Sequence, residues 1–423
     1  MKNEWLATTL GKLITVKHGW AFKGECFATE GDEIVLTPGN FPIGGGLKIR
    51  PGKDHYYTGN YPSEFLLEPG DLLVVMTDLT QNAPILGSPA FVPSHPRMLH
   101  NQRLGLVKVK PGVDLDRRFL YYLLLSDRSR AQLRATATGT TVRHTAPERI
   151  YRVSVTVPPR PVQDVIGSIL GSIDDLIENN LRRAKVLEEM VQAIYREWFL
   201  HFRYPGHQNS RQIDSPIGKI PHDWSVTTAS EGLFINPRVK LDRLLLHPFV
   251  TMGDLNERSM IVIPSDQRSG NSGAKFVNGD TLFARITPCL ENGKTGFVQC
   301  LDDAQVGRGS TEFVVLRGRC VGAVFTYCLA RSEDFRRHAI ASMSGASGRQ
   351  RVRNECFDAY KLAVPQPDLA DRFEVDAKPL FDAAYQLTLQ AKQLSSLRDM
   401  LLPRLLAGQV DLSTVDLGGL VED

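Results

Sequence analysis

The feature that most limits how this chain can fold is that its second half repeats its first. Gly70-Asp71 introduces the apolar run Leu72-Leu73-Val74-Val75-Met76, and Gly279-Asp280 introduces Thr281-Leu282-Phe283-Ala284-Arg285. Trp5-Leu6-Ala7-Thr8-Thr9 has a counterpart in Trp224-Ser225-Val226-Thr227-Thr228, and Thr37-Pro38-Gly39-Asn40 in Thr251-Met252-Gly253-Asp254. Val155-Thr156-Val157-Pro158 matches Leu362-Ala363-Val364-Pro365, and Lys185, Leu187, Met190 and Ile194 match Lys392, Leu394, Leu397 and Leu401. The offsets lie between 207 and 219, about half of the 423 residues. One match is uninformative, but five in the same order mark a duplicated unit. Length separately asks for two or three domains of ordinary size.

Each unit has two parts. The first mixes short strands, Gly/Pro turns and a few helices. Strand signals include Leu104-Gly105-Leu106-Val107-Lys108-Val109 and Glu312-Phe313-Val314-Val315-Leu316. Short amphipathic helices follow at residues 119–125 and 324–330. The mixture predicts an α+β globule of roughly 150 residues. The second part is a long helix. Apolar residues recur at Ile166, Ile169, Ile173, Ile177, Leu181, Ala184, Leu187, Val191, Ile194 and Trp198, and again at Leu380, Ala384, Leu387, Ala391, Leu394, Leu397 and Leu401. Steps of three and four make one apolar seam on each helix. Neither seam is stable alone in water, so an antiparallel pair that buries both is predicted. Pro379 is expected to kink or restart the second helix, and Pro403 to end its regular part. The seam residues Ile173, Ile177, Leu181, Leu187, Ile194, Leu387, Leu394, Leu397 and Leu401 are assigned to helix or subunit interfaces and to no ligand. The predicted order is a globule at 1–160, a helix at 161–204, a linker and second globule at 205–366, a second helix at 367–410 and a tail at 411–423. The stretch from Tyr204-Pro205-Gly206 to Pro221 reads as linker. A helix of 30–40 residues spans roughly 45–60 Å, between one and two turns of duplex DNA at about 34 Å each.

Composition narrows the function. Net charge is only +3, but the charge is segregated. Between Arg103 and Arg160 there are twelve Lys/Arg against four Asp/Glu; between Val162 and Phe202 there are four against seven. The basic residues are 34 Arg and 16 Lys, and the guanidinium fork suits phosphate oxygens and the guanine edge. No apolar run approaches the length of a membrane span, and residues 1–5 do not read as a secretory signal. The six cysteines form no C-x-x-C pair, so they read as reduced thiols of a cytoplasmic protein rather than a zinc or disulfide framework.

Catalytic signatures are missing. No Asn/Asp-Pro-Pro-aromatic loop is present to hold a target amine, and Asn236-Pro237-Arg238 lacks the second proline and the aromatic. No G-x-x-x-x-G-K-[ST] exists for ATP. The glycines of Phe41-Pro42-Ile43-Gly44-Gly45-Gly46 read as a turn, not a cofactor loop. Glu291-Asn292-Gly293-Lys294 has the wrong spacing for a metal-nuclease Glu-x-Lys and reads as a hairpin turn whose Asn-Gly supplies positive φ. His95, His100 and His144 are scattered, without metal-ligand spacing. No catalytic, cofactor or metal residue is assigned.

Several stretches are similar to the specificity subunits of type I restriction-modification enzymes. These are Gly279-Asp280-Thr281-Leu282-Phe283-Ala284-Arg285-Ile286-Thr287-Pro288 with Glu291-Asn292-Gly293-Lys294, then Gly309-Ser310-Thr311-Glu312-Phe313 and Ser347-Gly348-Arg349-Gln350-Arg351-Val352. In the first half, Asn101-Gln102-Arg103 and the Val157-Pro158-Pro159 lead into the long helix are similar too. The resemblance implies two target recognition domains in a pseudo-two-fold repeat, separated by two long antiparallel coiled-coil-like helices. Each domain would read half of a bipartite double-stranded DNA target. The helices would set the unread spacer and dock two methylation subunits carrying S-adenosylmethionine. Motor-nuclease restriction subunits using ATP and Mg would complete the complex, and this chain would bind no cofactor. Two rival readings are a methyltransferase-endonuclease with its own activity and a non-enzymatic scaffold bridging proteins.

DNA contact is expected at two loops in equivalent places of the repeat. Thr138-Gly139-Thr140-Thr141-Val142-Arg143-His144 offers Thr141, Arg143 and His144. Ser344-Gly345-Ala346-Ser347-Gly348-Arg349-Gln350-Arg351-Val352-Arg353 offers Arg349, Gln350, Arg351 and Arg353. Small residues let the backbone approach a phosphate, and Arg or Gln reaches base edges. Gln102, Arg103, Lys108, Arg285 and Lys294 are further candidates.

Overall fold

The computed structural model describes residues 5–346 and 348–412. Ser347 and residues 413–423 of the expected tail lie outside the described residues. The chain divides into two compact units, Met1–Leu176 with Gln393–Asp423, and Ile177–Lys392. Each unit holds part of each long helix.

In the first unit Leu6–Thr9 pairs antiparallel with Ser154–Val157, Leu6 opposite Val157. A single helical turn, Leu10–Leu13, leads into a four-stranded antiparallel sheet ordered Ile14–His18, Leu104–Val109, Leu72–Val75, Pro89–Phe91. A second sheet is ordered Phe27–Ala28, His55–Tyr57, Glu33–Val35, Arg97–Leu99, with its last pair parallel. Two helices follow the first sheet, Arg117–Leu125 and Asp127–Thr136. Asp116 caps the former by accepting from the Phe119 N–H at 2.6 Å, and Ser126 caps the latter.

The second unit repeats this plan except at the edges of its second sheet. Ser225–Thr228 pairs with Lys361–Val364, Ser225 opposite Val364. The turn Ala229–Gly232 leads into a sheet ordered Leu233–Ile235, Phe313–Gly318, Thr281–Ala284, Thr295–Phe297. The second sheet is ordered Asp266–Arg268, His247–Val250, Gly307–Gly309, Ala274–Phe276, and His247–Val250 runs parallel to Gly307–Gly309. The helices Ala323–Arg331 and Glu333–Ala341 follow, the latter capped by Ser332.

The repeated Gly-Asp pair owes its recurrence to one turn built twice. Gly70 and Gly279 both have positive φ, 82° and 86°, where only glycine sits without strain. The carboxylate of Asp71 accepts from the Glu68 N–H at 3.0 Å, and that of Asp280 from the Val277 N–H at 2.8 Å. The glycine N–H groups donate to Val92 and Val298, whose own N–H groups return to Asp71 and Asp280. The turn thereby fixes where the central strand starts relative to its neighbour.

The first long helix, Arg160–Tyr195, continues as a π-helical turn, Arg196–Leu200. The second runs unbroken over Pro367–Leu406. Pro379 does not restart it, nor does Pro403 end it. The carbonyl that Pro379 deprives of a donor belongs to Val375, a residue 72% exposed, where water can take it.

In the first unit Ile166 and Leu170 share one core with Leu402 and Leu405, and the Arg398 guanidinium meets Asp174 at 2.7 Å. In the second unit Ala184 and Val191 share a core with Ala377, Phe381, Ala384 and Leu387, and Asn180 donates to Gln390. Residue numbers rise along one helix as they fall along the other, so within both units the helices are antiparallel. Ile173 and Leu387 are buried, Leu187 and Ile194 pack on the second unit's core, and Leu401 packs on the first's. Ile177 and Leu394 are half-buried. Leu181 and Leu397 lie off the seam, 47% and 39% exposed. Three successive steps of four, from Ile169 to Leu181, turn the side chain by about 120° around a 3.6-residue helix. Near Leu397 the inward position belongs instead to Arg398, held by Asp174.

The expected linker contains structure of its own: Gln212–Ser215 and Gly218–Pro221 form a hairpin. Residues 285–294 are likewise no two-residue hairpin turn. The Asn292 N–H donates to the Pro288 carbonyl four residues back, and of the Asn-Gly pair only Gly293 has positive φ. Ten residues join the flanking strands, so the helical turn closes a wide loop.

Candidate nucleic-acid interface

Both expected loops are closed by the same pair of backbone bonds. Thr138 N–H donates to His144 O at 2.9 Å and His144 N–H returns to Thr138 O at 2.8 Å. Ser344 N–H donates to Arg351 O at 3.1 Å and Arg351 N–H returns to Ser344 O at 3.0 Å. Each loop is anchored at the end of its unit's central strand, Thr145 N–H on Met76 O and Val352 N–H on Arg285 O, both at 2.9 Å. Glycines supply the bends, Gly139 at φ 91° and Gly345 and Gly348 at 127° and 78°.

The neighbouring strand adds one more residue to each anchor. Met76 N–H donates to Arg103 O, and Arg285 N–H to Glu312 O. Met76, Arg103 and His144 thus correspond in position to Arg285, Glu312 and Arg351.

The side chains at these positions differ in what they are free to do. In the first unit Gln102, Arg103 and Thr141 are exposed. Arg143 turns back into its own loop, donating to Gly139 O at 3.0 Å and Arg134 O at 3.1 Å. His144 Nδ1 lies 3.0 Å from Thr77 Oγ1. Lys108 points to solvent from its strand. In the second unit Arg351 grips Glu312 in a two-pronged pair of 2.7–3.0 Å. That guanidinium holds the Glu312 carboxyl below its ordinary range. Arg285 donates to Val352 O at 2.7 Å, and Lys294 to Met252 O at 2.7 Å. Arg349 and Arg353 are exposed, and neither side chain bonds to another described residue. The Gln350 carbonyl accepts from Thr287.

The structure therefore gathers Arg285, Arg351, Arg349 and Arg353 around one strand end, and Arg103, Thr141, Arg143 and His144 around the corresponding one. Lys108 faces solvent from mid-strand, and the Lys294 ammonium is turned to the Thr-capped turn at Met252 O rather than to the loop. Sequence reasoning passed over four cations of the second unit. An open cleft of ≈ 540 Å³ is lined by Arg238, Lys275 and Arg285, and one of ≈ 410 Å³ by Arg268 and Arg308; Gly273 and Thr311 line both. Arg308 carried a readable signal, its place between two glycines. A Cβ at Gly307 would strike the Phe276 ring, and one at Gly309 would come within 2.9 Å of Phe313 and the Val250 carbonyl. The strand is packed too tightly to hold anything larger beside the arginine.

Among the described residues, no three His, Cys, Asp or Glu side chains come together as a metal site. The six cysteines are free thiols, and no described helix is long and apolar enough to cross a membrane.

Comparison with known proteins agrees with this architecture. Residues 2–189 match the family described as "Type I restriction modification DNA specificity domain". The MjaIX specificity subunit of Methanocaldococcus jannaschii, a type I restriction enzyme component, is 24% identical over 328 residues, 73% of this chain and 72% of that one. The HindI specificity subunit of Haemophilus influenzae is 19% identical over 359 residues, 69% of this chain and 77% of the relative. The crystal structure of a type I restriction-modification system S subunit from M. genitalium superposes with a TM-score of 0.58 at 14% identity, covering 95% of this chain and 96% of that one.

Proposed function

We propose that this chain, similar to the specificity subunits of type I restriction enzymes, is such a subunit: it reads DNA sequence and directs catalysis that its partners perform. Each globule reads one half of a bipartite target. Its basic loop supplies side chains to base edges, and its clefts take phosphates. The two long helices set the spacer between the half-sites and dock two methylation subunits. S-adenosylmethionine binds those subunits, ATP and Mg bind the restriction subunits, and this chain holds none of them.

The observation that carries this reading is the pair of loops at corresponding strand ends, closed by the same backbone bonds yet presenting different side chains. A duplicated catalytic site would keep its chemistry in both copies. A duplicated reader of two different half-sites would keep its backbone and change its side chains. The test is selective binding. The chain assembled with its methylation subunit is expected to retain one duplex sequence over random competitor at moderate salt. Mapping methylated adenines in a host carrying the whole system should then return a two-part motif. Equal retention of all sequences would refute the reading.

A further inference from the structure

Arg308 is 2% exposed. In the first unit its place is taken by a leucine. Both units carry a Thr-capped turn, at Thr37 and at Thr251, and the residues two before it, Val35 and Phe249, correspond. In the parallel ladder Val35 lies opposite Leu99, and Phe249 opposite Arg308. Leu99 is 0% exposed. One fold thus buries a leucine in one copy and a guanidinium in the other.

The buried guanidinium is bonded but not neutralised. One terminal nitrogen donates to Arg268 O at 3.1 Å and to Ser269 O, and the other to Ser272 O at 2.7 Å and Ser272 Oγ at 3.3 Å. These are neutral acceptors. The Nε–H has none among the described residues, and no described carboxylate forms an ion pair with this arginine. A full charge removed from water without a counter-charge is costly. Holding the 268–272 loop does not by itself require one. The charge stands in the wall of the ≈ 410 Å³ cleft, lined also by Arg268, Ser272, Ser310 and Thr311 and by no Asp or Glu.

We infer that this cleft seats one phosphodiester of the DNA backbone, with Arg308 supplying fixed positive charge beneath it and the serine and threonine hydroxyls donating to its oxygens. The inference rests on the DNA-reading function proposed above. Arg268 stacks 3.9 Å over Phe249 but is also paired with Asp266 at 2.8 Å. The uncompensated charge is therefore that of Arg308. Field lines from a cation held in a low-dielectric wall are focused into the cleft. The adjoining cleft with Arg238, Lys275 and Arg285 continues the same basic track.

The test uses the chain assembled with its methylation subunits on its mapped target. Arg308→Leu, the residue the first unit packs, should lower affinity on all duplexes alike and flatten the slope of log K against log salt by about 0.9, one phosphate's worth of released counterions. Arg308→Lys should restore the slope. A neutral methylphosphonate walked along the half-site should weaken the wild-type complex at one phosphate, and Arg308→Leu should be insensitive there. Should Arg308→Leu not fold, Ser272→Ala with Ser310→Ala must dull the same methylphosphonate response. Selective binding with unchanged slope and unchanged methylphosphonate profile overturns the phosphate seat alone. Loss of selectivity in the wild-type complex overturns the underlying function instead.

Discussion

The two globules share a backbone plan and differ in the side chains set upon it. The order of the first sheet, the parallel pair of the second, the Gly-Asp turn, the Thr-capped turn and the loop closure are the same in both. At corresponding positions the first unit places Met76, Arg103 and Leu99, and the second Arg285, Glu312 and Arg308. Backbone hydrogen bonds and turn φ angles are set by a few residues, so duplication preserves them. Side chains at strand ends carry none of that burden and are free to diverge. The difference teaches that the side chains a globule presents can change without disturbing the frame.

The largest contrast expected concerns the two turn aspartates. Asp280 is fully buried and paired with Arg317 at 2.6 and 2.8 Å, whereas Asp71 accepts a single backbone bond. Asp280→Ala should destabilise by about 2–3 kcal/mol, because it removes the buried acceptor of the Val277 N–H and of Arg317 while the one-third-exposed guanidinium regains water, and Asp71→Ala by about 1 kcal/mol. Denaturant unfolding of the two variants measures both. Equal losses would break the comparison.

The next contrast lies on the first long helix. Asp174 meets the Tyr122 hydroxyl at 2.6 Å with Arg398 beside it. Glu188 meets the Tyr327 hydroxyl at 2.7 Å and the Met260 N–H at 2.9 Å, buried and in no ion pair among the described residues. Burial raises the Glu188 carboxyl above its ordinary value. The folded form then holds a proton that the unfolded form releases. This contribution is full below the unfolded pKa and is lost as pH rises through the raised one. Glu188→Gln should remove it. Wild type should lose stability relative to the variant by up to about 1.4 kcal/mol per pH unit across that interval, read from urea midpoints at stepped pH. Parallel curves would show that Glu188 titrates normally.

The smallest contrast is at the loop anchors. Glu312→Gln frees Arg351 and eases the field on Arg285, so non-selective DNA affinity should rise by about 1 kcal/mol. Arg103→Gln should lower it by a similar amount. Anisotropy on random duplex at low salt checks both signs. The same sign for both would mean that these corresponding residues do not face the same ligand.

Much of this frame was legible because it is periodic or repeated. The Gly-Asp and Thr-x-x-Asn/Asp matches are turn chemistry, and turn chemistry is local. The long helices were legible as seams, but a fixed step of four overruns the true period, so Leu181 was read inward. Pro379 was read as a break because the sequence does not reveal that the carbonyl it orphans faces water. At the candidate site both loops were found from their glycines and cations. What sequence concealed was commitment: Arg351 to Glu312, Lys294 to Met252 O and Arg143 to its own loop are bonds between distant or unremarkable positions. Arg308 was missed since a three-residue strand of Gly-Arg-Gly shows no apolar alternation.

The return of the second helix to the first unit has a consequence for how the chain is made. Leu402 and Leu405 complete a core begun by Leu10 and Ile166, and Gly408 lies against Trp5. A ribosome adding about 5–20 residues per second needs tens of seconds between Leu170 and Leu405. Through that interval the amino-terminal body is a socket awaiting its plug, and its greasy rim is open to whatever meets it in the cell. Nascent chains stalled before residue 400 should be the form most in need of a chaperone.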